Sequence, residues 1–85
     1  MLDPIRLGTK DYNHDYEFQS EVILKAMFMR DHPKLRDWLL DNFGASYQER
    51  IRIEHVEWYR TWFTAEFTFQ PRDEAEVMLL RMRLN

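Results

Sequence analysis

Apolar and polar positions alternate with a period of two at several places along this chain. "IRL" at 5–7 sets Ile5 and Leu7 about Arg6, and "RIRIEH" at 50–55 sets Ile51 and Ile53 against Arg50, Arg52 and Glu54. Phe63, Ala65, Phe67 and Phe69 alternate with Trp62, Thr64, Glu66 and Thr68. A period of two marks strands with one face buried. The two longer runs predict an antiparallel pair turning near Glu57–Arg60, although no Asn-Gly or Asp-Gly fixes the turn.

Helical spacing fills the intervals. Residues 16–30 contain neither glycine nor proline, Asp15 stands as a candidate N-cap, and Glu17 suits the positive end of the helix dipole. Phe18, Val22, Ala26 and Met29 form one stripe at 100° per residue, widened by Ile23 and Met27. Leu24 and Phe28 point to the other side, so this helix needs cover on two sides. "DHPKLRDWLLDNFG" supplies a second helix, with Pro33 in its first turn, an apolar face of Leu35, Trp38, Leu39 and Phe43, and Gly44 as the terminating residue.

The closing segment fits two templates. Pro71 ends the strand before it, and Asp73 with Glu76 forms a capping box for a helix starting at Ala75, Val77, Met78 and Leu79. Residues 80–84 then continue either as helix or as a strand alternating Leu80, Met82 and Leu84 with Arg81 and Arg83. The strand is the reading adopted, because a returning strand completes a βαβ unit. One domain over residues 1–85 is therefore expected to be α+β, a ferredoxin-like βαββαβ sheet with helices on one face. The alternative is a sheet of two or three strands whose first and last segments are irregular or helical. In the ferredoxin-like arrangement Ile5, Leu7, Ile51, Ile53, Phe63, Phe67, Phe69, Met82 and Leu84 face the helices.

Composition narrows the function classes. The chain of 85 residues has no cysteine, which excludes disulfides and thiolate chemistry and fits a reducing cytoplasm. Its start lacks a basic segment followed by an apolar run, so no secretory leader is expected, and "VILKAMFM" is too short to span a bilayer. Net charge is −3 with the signs interspersed, unlike a polybasic nucleic-acid tail. Nine of the twelve bases are arginine, the side chain favoured for planar contacts.

Two constellations stand out. "VEWYRTW" gathers Trp58, Tyr59, Arg60 and Trp62 into the expected turn, and these are the residue types enriched at binding hot spots. This makes them the candidate partner-binding site. The second is an open sheet face carrying Arg6, Arg50, Arg52, Arg81 and Arg83 with Trp62, the logic of single-stranded nucleic-acid recognition. Glu54 and Glu66 are placed to pair with those arginines, which favours a solvated, salt-bridged face instead.

Catalytic and metal signals are weak. His14–Asp15, Asp31–His32 and His55-x-Glu57 lack a third ligand at a metal spacing. Gly8 and Gly44 are isolated, so neither belongs to a phosphate loop, and Ser20 and Ser46 lie outside any nucleophile elbow. No cofactor, metal or membrane partner is expected. The sequence reads as a non-catalytic protein-interaction module with an unidentified protein partner, open to homo-oligomerisation through the sheet face or helix 16–30. Single-stranded nucleic-acid binding through Arg50, Arg52, Arg81 and Arg83 is the alternative.

Residues Phe67, Phe69, Asp73, Glu74, Ala75, Leu80, Arg81, Met82 and Arg83 carry a further signal. A Phe-x-Phe strand, an acidic-Ala helix start and a closing apolar–basic alternation resemble the endings of small tailed-bacteriophage accessory proteins. The resemblance covers about a quarter of the chain. It implies a small phage-encoded protein that binds and modifies a host or phage component, and it assigns no site residue.

Overall fold

The three-stranded sheet is built around its last strand. The computed structural model describes residues 2–84, leaving the two terminal residues of the expected 1–85 domain outside. Strands β1 (Ile5–Asn13) and β2 (Ile51–Trp58) both pair antiparallel with β3 (Trp62–Phe69), giving the order β1-β3-β2. Helices α1 (Glu21–Asp31) and α2 (Pro33–Phe43) connect β1 to β2, and α3 (Glu74–Leu84) follows β3. The architecture is α+β, but the four-stranded ferredoxin-like sheet is not formed among the described residues.

The missing strand is residues 80–84, which continue α3. The Asp73 carboxylate accepts from the Glu76 N–H at 2.9 Å, so the helix starts firmly capped. Val77 and Leu80 are buried and Leu84 is half-buried, the i, i+3, i+7 spacing of a helix face. Burying that face defeats the competing period of two. Met82, expected in the core, is exposed instead, while Arg81 and Arg83 lie on a helix and not on the sheet.

A second correction concerns the first helix. Residues 14–16 form a separate 3-10 turn capped by Asn13, and α1 begins at Glu21 with Ser20 accepting from the Ile23 N–H at 3.3 Å. The buried face is Leu24, Phe28 and Met29, whereas Phe18 and Val22 point to solvent and Phe18 is 93% exposed. Phe28 decides this rotation. Its ring stacks on Phe67 at 4.4 Å, and a Cβ on Gly8 would stand 3.3 Å from its tip. Tyr12 adds a tie, its buried hydroxyl donating to the Leu24 carbonyl at 2.6 Å.

The core face of β3 follows the sequence pattern, with Phe63, Ala65, Phe67 and Phe69 all buried beside Ile51 and Leu39. Ile5, Leu7 and Ile53 are only half-buried at its margins. β1 has one unpaired residue at Leu7, opposite the Phe67–Thr68 step of β3, and β2 has one at Glu54, opposite the Glu66–Phe67 step. These bulges bend the two flanking strands at successive steps on either side of Phe67.

The open edge of β2 is bonded from α1 at its first residues. Glu21 accepts from the Ile53 N–H at 3.0 Å, and Lys25 donates to the Ile51 carbonyl at 3.1 Å and to the Gln48 carbonyl at 2.8 Å. At the first half of β2, two of the groups that another strand would seek are thus already bonded.

Arg50 joins β2 to α3. It ends a 3-10 turn (Ala45–Arg50), donates twice to the Gln70 carbonyl, pairs with Glu76, and lies 4.5 Å over the Phe69 ring. Arg50→Met is expected to cost about 2–3 kcal/mol in chemical unfolding, somewhat less than breaking a fully buried pair. The hydrogen bond from Arg50 holds the Glu76 carboxyl below its usual value, outweighing its partial desolvation. Its stabilising contribution is therefore complete above the ordinary glutamate range and is lost as pH falls through the lowered value. Glu76→Gln is expected to flatten that acid limb in a series of unfolding curves against pH.

Candidate functional site

The turn between β2 and β3 concentrates exposed aromatic surface. Trp58 ends one strand and Trp62 begins the next, so both strand ends carry an indole. The Tyr59 N–H donates to the Trp62 carbonyl at 2.8 Å and closes the loop within four residues, in the region expected from the sequence. Trp58 is 57% exposed, Tyr59 42% and Trp62 41%, and Arg60 is exposed at the tip. All four partner-binding candidates are brought together.

The aromatics divide between the two faces of the sheet. Trp58 follows Val56 on the core side, where its ring lies 4.9 Å from Phe63 and 6.1 Å from His14. Trp62 opens β3 on the other side, stacked nearly parallel on Tyr59 at 4.6 Å. The turn therefore presents flat apolar surface on both sides, backed by core residues on one of them.

Polar bonds hold this shape. The Tyr59 hydroxyl donates to Glu57 at 3.0 Å, and His55 Nε2 stands 3.3 Å from the same carboxylate. Those two contacts, the tyrosine's first, hold the Glu57 carboxyl below its usual value, and the same carboxylate pushes the Tyr59 hydroxyl up. From the core side His14 Nε2 reaches the Tyr59 carbonyl at 2.9 Å while Nδ1 lies 3.1 Å from Glu17. A carbonyl and a carboxylate both accept, so the protonated imidazolium satisfies both contacts at once. The hydrogen bond to the Tyr59 carbonyl is the main reason the His14 pKa is raised.

Beyond the turn, the open sheet face is polar and mixed in charge. Arg6 lies 3.9 Å from Glu66, and Thr64 donates to Asp11 at 2.6 Å. A shallow concavity of about 270 Å³ opens among Arg6, Thr9, His55, Glu57, Tyr59 and Glu66. The arginines expected here are scattered. Arg52 and Arg6 flank Thr68 on this face, but Arg52 also donates to the Glu49 carbonyl at 2.8 Å. Arg50 is held by Glu76 and Gln70, while Arg81 and Arg83 belong to α3. Cross-strand pairing with Glu66 is present, whereas Glu54 falls at the bulge.

The His55–Glu57–Tyr59 chain is a row of hydrogen-bonded titratable groups on an exposed strand end. Among the described residues, no three His, Cys, Asp or Glu side chains converge on a common metal position. His14 is the site residue that sequence reasoning missed. Its partner lies 45 positions away, and no local motif signals that contact. No family model matches the sequence, and no curated protein or solved structure matches it either.

A raised His14 pKa means that its bond to the turn is complete below the ordinary histidine value and is lost as pH rises through the higher folded-state value. The Tyr59 and Trp62 amide signals in NMR spectra are therefore expected to shift with a titration above the ordinary histidine range. His14→Ala should abolish that titration while the core amides stay in place.

Proposed function

We propose that this protein is a non-catalytic interaction module that captures a protein partner through Trp58, Tyr59, Arg60 and Trp62. The supporting observation is the combination of exposure and order at the turn. Three large rings stand over 40% exposed while backbone and side-chain hydrogen bonds restrict the segment that carries them. A partner that buries them gains apolar contact without first ordering a flexible loop. Trp, Tyr and Arg gathered on the two faces of one short turn also match the composition of interface hot spots.

The resemblance of the chain's last third to tailed-phage accessory proteins agrees with this role, and the lack of cysteine suits action in the cytoplasm. No helix among the described residues is long and apolar enough to cross a membrane. The single-stranded nucleic-acid alternative draws less support, because its four arginines do not share a face and the sheet also carries Asp11, Glu57 and Glu66.

A tagged pull-down from the native host, followed by intact-mass measurement, tests the assignment. The wild-type chain is expected to retain a stoichiometric protein partner. The Trp58→Ala/Trp62→Ala variant should bind it at least about thirtyfold more weakly, the scale of losing a hot spot. Circular dichroism of the variant checks that it remains folded. Undiminished capture overturns this site, and tight, salt-sensitive retention of a single-stranded oligonucleotide in place of a protein supports the alternative.

A further inference from the structure

Helix α3 carries a second apolar surface, separate from the aromatic turn. Val77, Leu80 and Leu84 turn inward, while Ala75, Met78, Leu79 and Met82 form a stripe on the opposite side. Met78 is 64% exposed and Met82 is 76% exposed. A helix whose outer stripe is this apolar ordinarily has a neighbour. Nothing in the core requires methionine at these two positions.

The stripe is complementary to itself when one copy is reversed. Its midpoint falls between Met78 and Leu79, with Ala75 and Met82 equally far on either side. Reversing a second helix about that midpoint sets small Ala75 opposite large Met82 at both ends, and the central Met78 and Leu79 meet their own counterparts. The rim behaves the same way. At 100° per residue Glu74 and Arg81 lie along one side of the stripe, and Arg83 along the other with Glu76, which Arg50 already holds. Reversal therefore faces Glu74 with Arg81 of the copy, and it sets the two helix dipoles antiparallel.

A parallel pairing would instead align acid with acid and base with base. The outer stripe of α1 has no such match, since Glu21 and Lys25 are already bonded along β2.

We infer that two copies of this chain associate through antiparallel α3 helices, with Ala75, Met78, Leu79 and Met82 at the centre and Glu74–Arg81 pairs at the rim. Such a contact is isologous, the commonest symmetry of soluble dimers. An 11-residue helix is about 16 Å long, so the contact is smaller than a standard interface and the dimer dissociates on dilution.

Sedimentation of the full chain over about a hundredfold range of concentration tests this, with circular dichroism confirming that each variant folds. The wild type is expected to pass from monomer to dimer. Met82→Asp should hold it monomeric, because at each end of the apolar stripe the charge meets Ala75 of the copy. Glu74→Arg and Arg81→Glu should each weaken the dimer roughly tenfold, and combining them should restore most of the loss, because the pairs are remade in reverse. Trp58→Ala/Trp62→Ala should leave the dimer intact, so this contact stands or falls independently of the partner-binding turn. A chain that stays monomeric throughout overturns the inference. A dimer indifferent to Met82→Asp, a double charge variant without recovery, or a dimer lost with the tryptophans does so too.

Discussion

The placement of the Phe28 ring between Gly8 and Phe67 governs the rest of the structure. A side chain at Gly8 would contact that ring at 3.3 Å, and the stack on Phe67 fixes the ring's other side. α1 has one rotation that satisfies both. Once taken, it buries Leu24 where Tyr12 can reach its carbonyl, and it brings Asp31 to Lys10 at the far end of the helix. The same rotation turns Phe18 and Val22 outward. Glu21 and Lys25 then fall along the edge of β2, so a packing constraint in the centre determines how a sheet edge is bonded at its first residues.

Arg50 plays the corresponding part at the end of the sheet where β3 gives way to α3. Its guanidinium satisfies the Gln70 carbonyl just past β3, covers the Phe69 ring and meets Glu76 on the first turn of α3. Glu76 in turn accepts from the Arg72 N–H at 2.7 Å, closing the loop that leads into the helix. A chain anchored this way enters α3 with its direction set. Val77, Leu80 and Leu84 fall inward and Met78 and Met82 fall outward as a consequence.

The sequence carried much of this, unevenly. The alternation through Phe63, Ala65, Phe67 and Phe69 identified the central strand because every core-facing position is large or tightly packed. Pro33 and Gly44 marked the ends of α2 because each restricts the backbone in a way few residues do. The apolar face of α1 was misread because its second half is apolar nearly all round, and Gly8 and Phe67, in distant strands, decide which side is buried. Residues 80–84 misled for a related reason: Leu80, Met82 and Leu84 satisfy both periods, and burial of Leu80 beside Val77 selects the helix. The aromatic turn was legible from residue type alone. Its bracing by His14 was not, since that contact spans the chain.

The two outward apolar surfaces lie at opposite ends of the central strand: the turn precedes Trp62, and α3 follows from Phe69. This separation has a physical consequence if both surfaces act as inferred. Copies joined through α3 leave both aromatic turns outside the contact, so a dimer presents two identical binding sites at a fixed distance. A partner with repeated or symmetric sites is then held by two contacts, and the second forms at the high effective concentration set by the first. Each contact can be small on its own terms, as a chain of 85 residues with a single thin core requires. Occupancy would depend on the concentration of the protein through the weaker α3 contact, and the turns would set which partner is recognised.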